Sequence, residues 1–243
     1  SLLPAHLKTM RPWLGQADEI VVVDSHSSDG TVEYLQKNLR HPNVKFFSRP
    51  RGLYQAWNFG IEQTTSDWIY VSTVGDAIAA PLLKHLREVG ETLGCDVVAS
   101  RPNFIDEQDR PVAATIWPID RILQAMGNRR PVKLSGVEIY LYALLAIPCA
   151  LLGSSASNVY RGPHLRARPL PTEFGTVGDT AWSLRYGLET SYGFTPERAS
   201  FFRLHAKAYT KSEYEVENLG AKLAELAVRT VESGVFPPPV LAD

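Results

Sequence analysis

Short β-branched runs alternate with helical spacing along the first hundred or so residues. Ala5 to Leu14 has the spacing of a short helix. Glu19 to Asp24 (EIVVVD) is too short for a helix, rich in valine and bounded by polar residues, the pattern of a buried parallel strand. The turn cluster SHSSDG follows. Thr31 to Leu39 returns to helical spacing, with Val32, Leu35 and Leu39 on one face. Val44 to Phe47 predicts a second strand, Gly52 to Thr64 a helix, and Asp67 to Ser72 (DWIYVS) a third strand. A helix over Pro81 to Leu93 and a strand over Asp96 to Ser100 continue the series. Alternation at this interval predicts repeated βα units, hence an α/β fold with a mostly parallel sheet. Ligands of such sheets collect beyond the carboxyl ends of the strands. That rule singles out Asp24, the stretch near Arg51, and Asp76.

Beyond about Arg101 the alternation fades into loop, proline and arginine, with a weak strand at Ser157 to Tyr160. The most apolar stretch, Val137 to Gly153, is about as long as a short membrane span, but Glu138 and Pro148 interrupt it. The expectation is a buried helix that breaks near Pro148, with a membrane-surface element as the alternative. Glu213 to Ser233 is amphipathic, with Val216, Leu219, Leu223, Leu226 and Val231 on one side. The chain then closes on FPPPVLAD, a linker or tail.

Composition narrows the class. With 243 residues and 44% hydrophobic content the chain can bury a real core, as one large domain or two small ones, and is not disordered. A net charge of -1 argues against a nucleic-acid partner. Cys95 and Cys149 lie far apart without a CxxC, which excludes a zinc ribbon and a disulfide framework and fits a reducing compartment. The start, SLLPAHLKTMRPWLG, lacks the basic and apolar regions of a signal peptide. The expected location is the cytoplasm, including the cytoplasmic face of a membrane.

Four segments then fall in a familiar order. VVVDSHSSDGT (Val21 to Thr31) resembles the VVDDGSTDGT segment of family 2 glycosyltransferases, and RGLYQAWNFGIEQTTSDWIYVSTVGDAI (Arg51 to Ile78) resembles their GLSAARNAGI…YILFLDSDD segment. VGDTAWSLR (Val177 to Arg185) resembles their ED-and-tryptophan motif, and FRLHAKAYTKS (Phe202 to Ser212) their late R-x-H…S segment. The resemblance implies a GT-A fold: a Rossmann-like, mostly parallel sheet flanked by helices, with a smaller acceptor-side region and a C-terminal helix. On that plan residues 1–100 form a nucleotide-sugar-binding half, 101–212 the acceptor-binding and catalytic half of the same domain, and 213–243 a helix and Pro-rich tail. It also implies a nucleotide-diphosphate sugar donor, Mg²⁺ or Mn²⁺, and inverting transfer to a glycan, lipid-linked or small-molecule acceptor.

Carried onto individual residues, the resemblance makes Asp24, with Ser25, the holder of the donor's nucleotide; a turn cap is the competing role. Asp29 and Gly30 make the turn into the next helix. Arg51 and Gly52, at a strand-to-helix junction, suit a phosphate or a base carbonyl, and Arg49 is an equal candidate. Where the family has arginine before asparagine, Trp57 precedes Asn58, which removes a phosphate-facing charge. Asp76 stands alone where the family carries an acidic cluster. One carboxylate plus substrate phosphates can still hold a hard cation. His205 supplies a second ligand, which favours Mn²⁺, or is a plain packed or exposed histidine, and a helix cap or a site without metal is the alternative for Asp76. Asp179 becomes the general base that takes the acceptor's proton, or else an N-cap. Trp182 fills core or packs under a sugar ring. Arg203 pairs with phosphate or with a surface acid, and HLRAR (His164 to Arg168) is a solvated loop or touches an anionic acceptor.

The family opens with a strand at the centre of its sheet, and this chain starts after it. A sheet lacking that strand would leave unpaired edges and an open core, so either upstream residues are expected or residues 1–4 are the strand's remnant. A catalytically inactive module that binds nucleotide-sugar, glycan or a protein partner is the competing function. A sugar nucleotidyltransferase lacks its glycine-rich loop here, and an α/β-hydrolase its G-x-S-x-G.

Overall fold

A computed structural model describes residues 2–113, 116–127, 129–204 and 213–234, with side chains of the last segment from residue 218 onward. Helix α1 (Leu3–Leu14) leads into β1 (Ile20–Asp24), α2 (Thr31–Asn38), β2 (Val44–Ser48), α3 (Leu53–Glu62) and β3 (Trp68–Ile69). Next come β4 (Ala77–Ile78), α4 (Ala80–Leu93), β5 (Val97–Ser100), β6 (Asn103–Ile105), α5 (Pro118–Ala125) and β7 (Val132–Leu134). The last part holds α6 (Gly136–Ala146), β8 (Asn158–Arg161), α7 (Gly162–Ala167), α8 (Gly178–Tyr186), β9 (Tyr192–Thr195), β10 (Ser200–Arg203) and α9 (Glu213–Glu232).

The βα series of the first half forms where the periodicity places it, except that the strand expected over Asp67 to Ser72 shortens to Trp68–Ile69 and an unannounced β4 follows; the second half holds more strands than its pattern announces. Those late strands make the architecture mixed. β1 and β2 pair in parallel, from Ile20 beside Val44 to Asp24 beside Ser48. A second sheet has the order β3-β8-β5-β9-β7, in which β5–β9 is parallel and the β3–β8, β5–β8 and β7–β9 pairs are antiparallel. A third, β4-β10-β6, combines an antiparallel with a parallel pair. β5 is buried at every position, which is why it is an unbroken VVAS run without polar alternation.

Cores form on both sides of the five-stranded sheet. On one, Leu7, Met10 and Trp13 of α1 join Leu82, Leu86 and Val89 of α4. On the other, α5, α6 and α8 contribute Ile122, Ile139, Tyr140, Ala181 and Leu184. Leu223 and Ala227 of α9 are buried there, and Tyr140 Oη donates to the Ala227 carbonyl at 2.7 Å. α6 ends before Pro148, but burial is confined to one face: Ile139, Tyr140 and Ala143 point inward while Leu141 and Leu145 are exposed. Among the described residues no helix is long and apolar enough to cross a membrane.

Among the described strands β1 pairs with β2 alone and β3 with β8 alone. Their other edges face a cleft of about 920 Å³, walled by β1, by residues Trp68 to Val74, and by Leu3, Leu7, Met10 and Trp13 of α1. One end is bridged by Glu19. Its Oε1 accepts the backbone N–H groups of Thr65 and Ser66 at 2.6 and 3.0 Å, and its Oε2 accepts from Lys45 Nζ at 3.1 Å. Desolvation pushes the Glu19 carboxyl up, but these donors together outweigh it and hold the pKa at about 2. A carboxyl depressed in the folded state stabilises the fold above its ordinary range near 4.5, and that contribution is lost as pH falls toward 2. Glu19→Gln should therefore lower Tm by roughly 5 °C at pH 6 and by much less at pH 2.5, read by thermal unfolding. An equal drop at both pH values would contradict this account.

Candidate active site

One end of the cleft carries the carboxyl ends of β1 and β3 and the start of α3; the rest is an apolar gap between unpaired strand edges, lined by Leu7, Met10, Trp13, Val21 and Val23. Asp24, Ser25 and Ser27 line it from the end of β1, Arg51 and Gly52 from the junction before α3, and Ser72 and Thr73 from the loop after β3. Asp24 is buried and its Oδ2 accepts the Ser27 N–H at 2.9 Å. The turn-capping bond is thus present, and it uses one oxygen of a carboxylate that also walls the cleft. Asp29 Oδ1 accepts the Thr31 N–H at 3.2 Å, and Gly30, at φ 81°, supplies the left-handed turn into α2.

The two arginine candidates separate. Arg49 donates from Nη1 to the Gln55 carbonyl, and its guanidinium lies 5.5 Å from the centre of the Phe59 ring. Arg51 is exposed and lines the cleft. The side chain with its charge open to a ligand is Arg51.

Asp76 lies outside the cleft wall, although Thr73 and Val74 of the same loop belong to it. Its Oδ1 accepts the Arg203 N–H at 3.1 Å, and its Oδ2 accepts from Thr73 Oγ1 at 2.9 Å and from Ser154 Oγ at 3.4 Å. Burial raises its pKa, and these donors pull against the rise. Below the loop, Arg203 is buried and donates to the carbonyls of Gly75 and Asp106, and pairs with Asp109. Arg203 therefore meets an acid and two carbonyls of neighbouring loops. His6 of α1 secures the other side. Its Nδ1 donates to the Asp76 carbonyl at 3.0 Å, so its Nε2, at 3.2 Å, accepts from Ser72 Oγ. Burial lowers the His6 pKa, which keeps that neutral tautomer in place.

These residues do not fit a resident divalent cation. Both oxygens of the one carboxylate already accept hydrogen bonds from the protein, burial disfavours its charge, and the groups around it are hydroxyls and a neutral imidazole. Among the described residues no group of three His, Cys, Asp or Glu side chains is placed to hold a metal. His205, the second expected ligand, lies outside the described residues.

Asp179 opens α8 and lines a small cavity of about 20 Å³, with Trp57, Val71, Asn158, Tyr160 and Trp182 among its walls. Its Oδ1 accepts the Thr180 N–H at 2.8 Å. Trp57 and Val71 also line the large cleft, so the small cavity with Asp179 and the cleft with Asp24 and Arg51 share two wall residues. Trp182 is buried, with Nε1 donating to the Arg168 carbonyl at 2.6 Å, as a core residue should. Asn158 is buried too. Its Nδ2 donates to the Leu152 carbonyl at 3.3 Å, and its Oδ1 has no hydrogen-bond partner.

His6, Tyr54 and Asn158 are missed by the sequence pattern, and Trp57 stands out in it only as a lost charge. The readable signal is the departure from GLSAARNAGI, where Tyr54 and Trp57 stand in place of serine and arginine. His164 of the HLRAR run is tied to Thr190 and Asp96, and Arg168 to Glu189. Glu173 pairs with Arg185.

Comparison with known proteins bears on the family and the fold. The model of Glycosyl transferase family 2 matches residues 3–142. Among solved structures, S. aureus TarS 1-349 in complex with UDP-GlcNAc superposes with a TM-score of 0.62 at 15% identity, covering 95% of this chain and 69% of that one. S. aureus TarS 1-349 in complex with UDP gives 0.58 at 14% identity, over 93% of this chain and 68% of that one. The structural likeness establishes the GT-A fold, and the family model covers more than half of the sequence. The chain belongs to glycosyl transferase family 2.

Proposed function

We propose that the protein transfers a sugar from a nucleotide-diphosphate sugar to an acceptor hydroxyl with inversion. The observation that carries this reading is the pair of wall residues, Trp57 and Val71, that the cavity of Asp179 shares with the cleft holding Asp24, Ser25, Arg51 and Gly52. In this reading Asp24 and Ser25 accept from or donate to the nucleoside. Arg51 and the free amides that open α3 neutralise the diphosphate. The Asp179 carboxylate takes the proton of the acceptor hydroxyl as its oxygen bonds to the anomeric carbon. The bond from that carbon to the diphosphate breaks in line, and the nucleoside diphosphate leaves with the electron pair.

UDP is the first nucleotide to test, because the TarS structures hold UDP and UDP-GlcNAc. Release of nucleoside diphosphate should be followed across UDP-, GDP- and dTDP-sugars, with manganese and again with chelator. One of these donors should be turned over, and retention of anomeric configuration in the product would refute the mechanism. The inactive-module reading draws on Trp57 in place of arginine and on the occupied carboxylate of Asp76. Nucleotide bound by calorimetry, with no turnover of any donor, would establish it instead.

A further inference from the structure

Asn158 opens β8 and is 1% exposed, yet only one end of its amide is satisfied. Nδ2 donates to the Leu152 carbonyl at 3.3 Å and to Tyr160 Oη at 3.5 Å. A carbonyl can only accept, so the bond to Leu152 fixes which end of the amide is nitrogen. Oδ1 is therefore the buried acceptor, and it has no hydrogen-bond partner among the described residues. Leaving such an oxygen dry is costly, and the large majority of buried polar groups are hydrogen-bonded. Asn158, Leu152 and Tyr160 all belong to the wall of the cavity that Asp179 lines. Its volume of about 20 Å³ admits about one water molecule. At the start of α8, a Cβ on Gly178 would stand 2.5 Å from Tyr54 Cδ2 and 2.6 Å from the Pro171 carbonyl, so glycine is what lets Asp179 close onto this wall.

We propose that the cavity is a water site, in which one water gives one proton to Asn158 Oδ1 and the other to the Asp179 carboxylate. Its bearing on sugar transfer rests on Asp179 being the base. Counting protons selects water over an alcohol. The two groups are both acceptors, and water brings two protons where a hydroxyl of the acceptor brings one. Asp179 Oδ1 already accepts the Thr180 N–H at 2.8 Å, and a carboxylate has room for a further donor. Tyr160 Oη accepts from Asn158 and keeps its own proton to give to the water. Burial pushes that hydroxyl up to about 12, so it remains a donor. Three bonds are the usual complement of a buried water.

A crystal structure of the free protein that resolves ordered waters tests the site. One oxygen should stand about 2.8 Å from both Asn158 Oδ1 and an Asp179 carboxylate oxygen. An empty cavity, or an oxygen that touches only one of the two, overturns the inference, whether or not any variant folds. Asn158→Leu keeps the branched shape and removes both polar atoms, and its structure should lack that oxygen. In solution, aspartate labelled with ¹³C at the carboxyl is titrated by NMR, the Asp179 signal being the one missing from Asp179→Asn. Loss of the water's hydrogen bond in Asn158→Leu should raise the Asp179 midpoint by about one pH unit, because donors favour the charged carboxylate. The ionisable groups that sense Asp179 are Tyr54 of α3 and Tyr160 of β8, and burial keeps both protonated. An unchanged or lowered midpoint contradicts the bond from water to Asp179. Turnover separates the two claims: full activity in Asp179→Asn removes the base reading and leaves the water site standing, whereas loss of activity there beside an empty cavity removes only the water site.

Discussion

Asp179→Asn is expected to lower turnover of the productive donor and acceptor about a thousandfold while leaving nucleotide affinity within about twofold, since a positioned general base contributes roughly 10²–10⁴. Asparagine keeps the shape of the side chain, and its Oδ1 still accepts the Thr180 N–H that Asp179 holds at 2.8 Å. The start of α8 should therefore keep its conformation. What asparagine lacks is a basic oxygen for the acceptor's proton. Nucleotide affinity is spared because the groups expected to hold the donor, Asp24 and Arg51, line the large cleft, whereas Asp179 lines the small cavity that shares Trp57 and Val71 with it. Steady-state kinetics on the donor found active, with calorimetry on its nucleoside diphosphate, measure both quantities. Turnover within threefold of wild type would remove Asp179 from the chemistry.

The second large effect belongs to Arg203→Ala, and it falls on stability. The guanidinium of this buried residue donates to the Gly75 carbonyl at 3.1 Å and to the Asp106 carbonyl at 2.7 Å, and pairs with Asp109. Alanine would leave two carbonyls without these donors, each worth about 1–3 kcal/mol when buried, and would release the loop that carries Asp76. A loss of about 3 kcal/mol is expected, which for a chain of this length lowers Tm by roughly 10 °C. Arg203→Lys should recover only part of it, because an ammonium cannot span carbonyls that lie on different loops with a rigid fork. Thermal unfolding of both variants is the measurement. A Tm within 2 °C or so of wild type for Arg203→Ala would show that these bonds exchange freely with water.

That network also lies beyond what the local sequence pattern encodes. Asp76 is a plausible metal ligand by position, the lone acid after a strand in a βα series. Position says nothing of what the carboxylate faces. Its partners are the Arg203 N–H, Thr73 and Ser154, and two of those three lie far along the chain. Arg49 and Arg51, two residues apart, could not be separated by pattern; packing on Phe59 occupies one and leaves the other exposed. Asp24 shows the opposite case. Its place at the end of an EIVVVD run already located it, because the carboxyl end of a buried strand is where such sheets meet ligands.

By itself the sequence determined most of the βα series from α1 to β5 and the place of Asp24 at a strand end, because β-branched runs and helical spacing are local signals carried within a few residues. The structure decided the rest. β9 pairs beside β5 and β8 on its other side, and β10 beside β4 and β6, through short segments of two to four residues whose partners are distant in sequence. Such strands have too few positions to show a period, and their conformation is set by the neighbours they bury against. Tyr54, Trp57 and Asp179 meet for the same reason: α3 and α8 are joined across the fold by Gly178, and only folding brings them together.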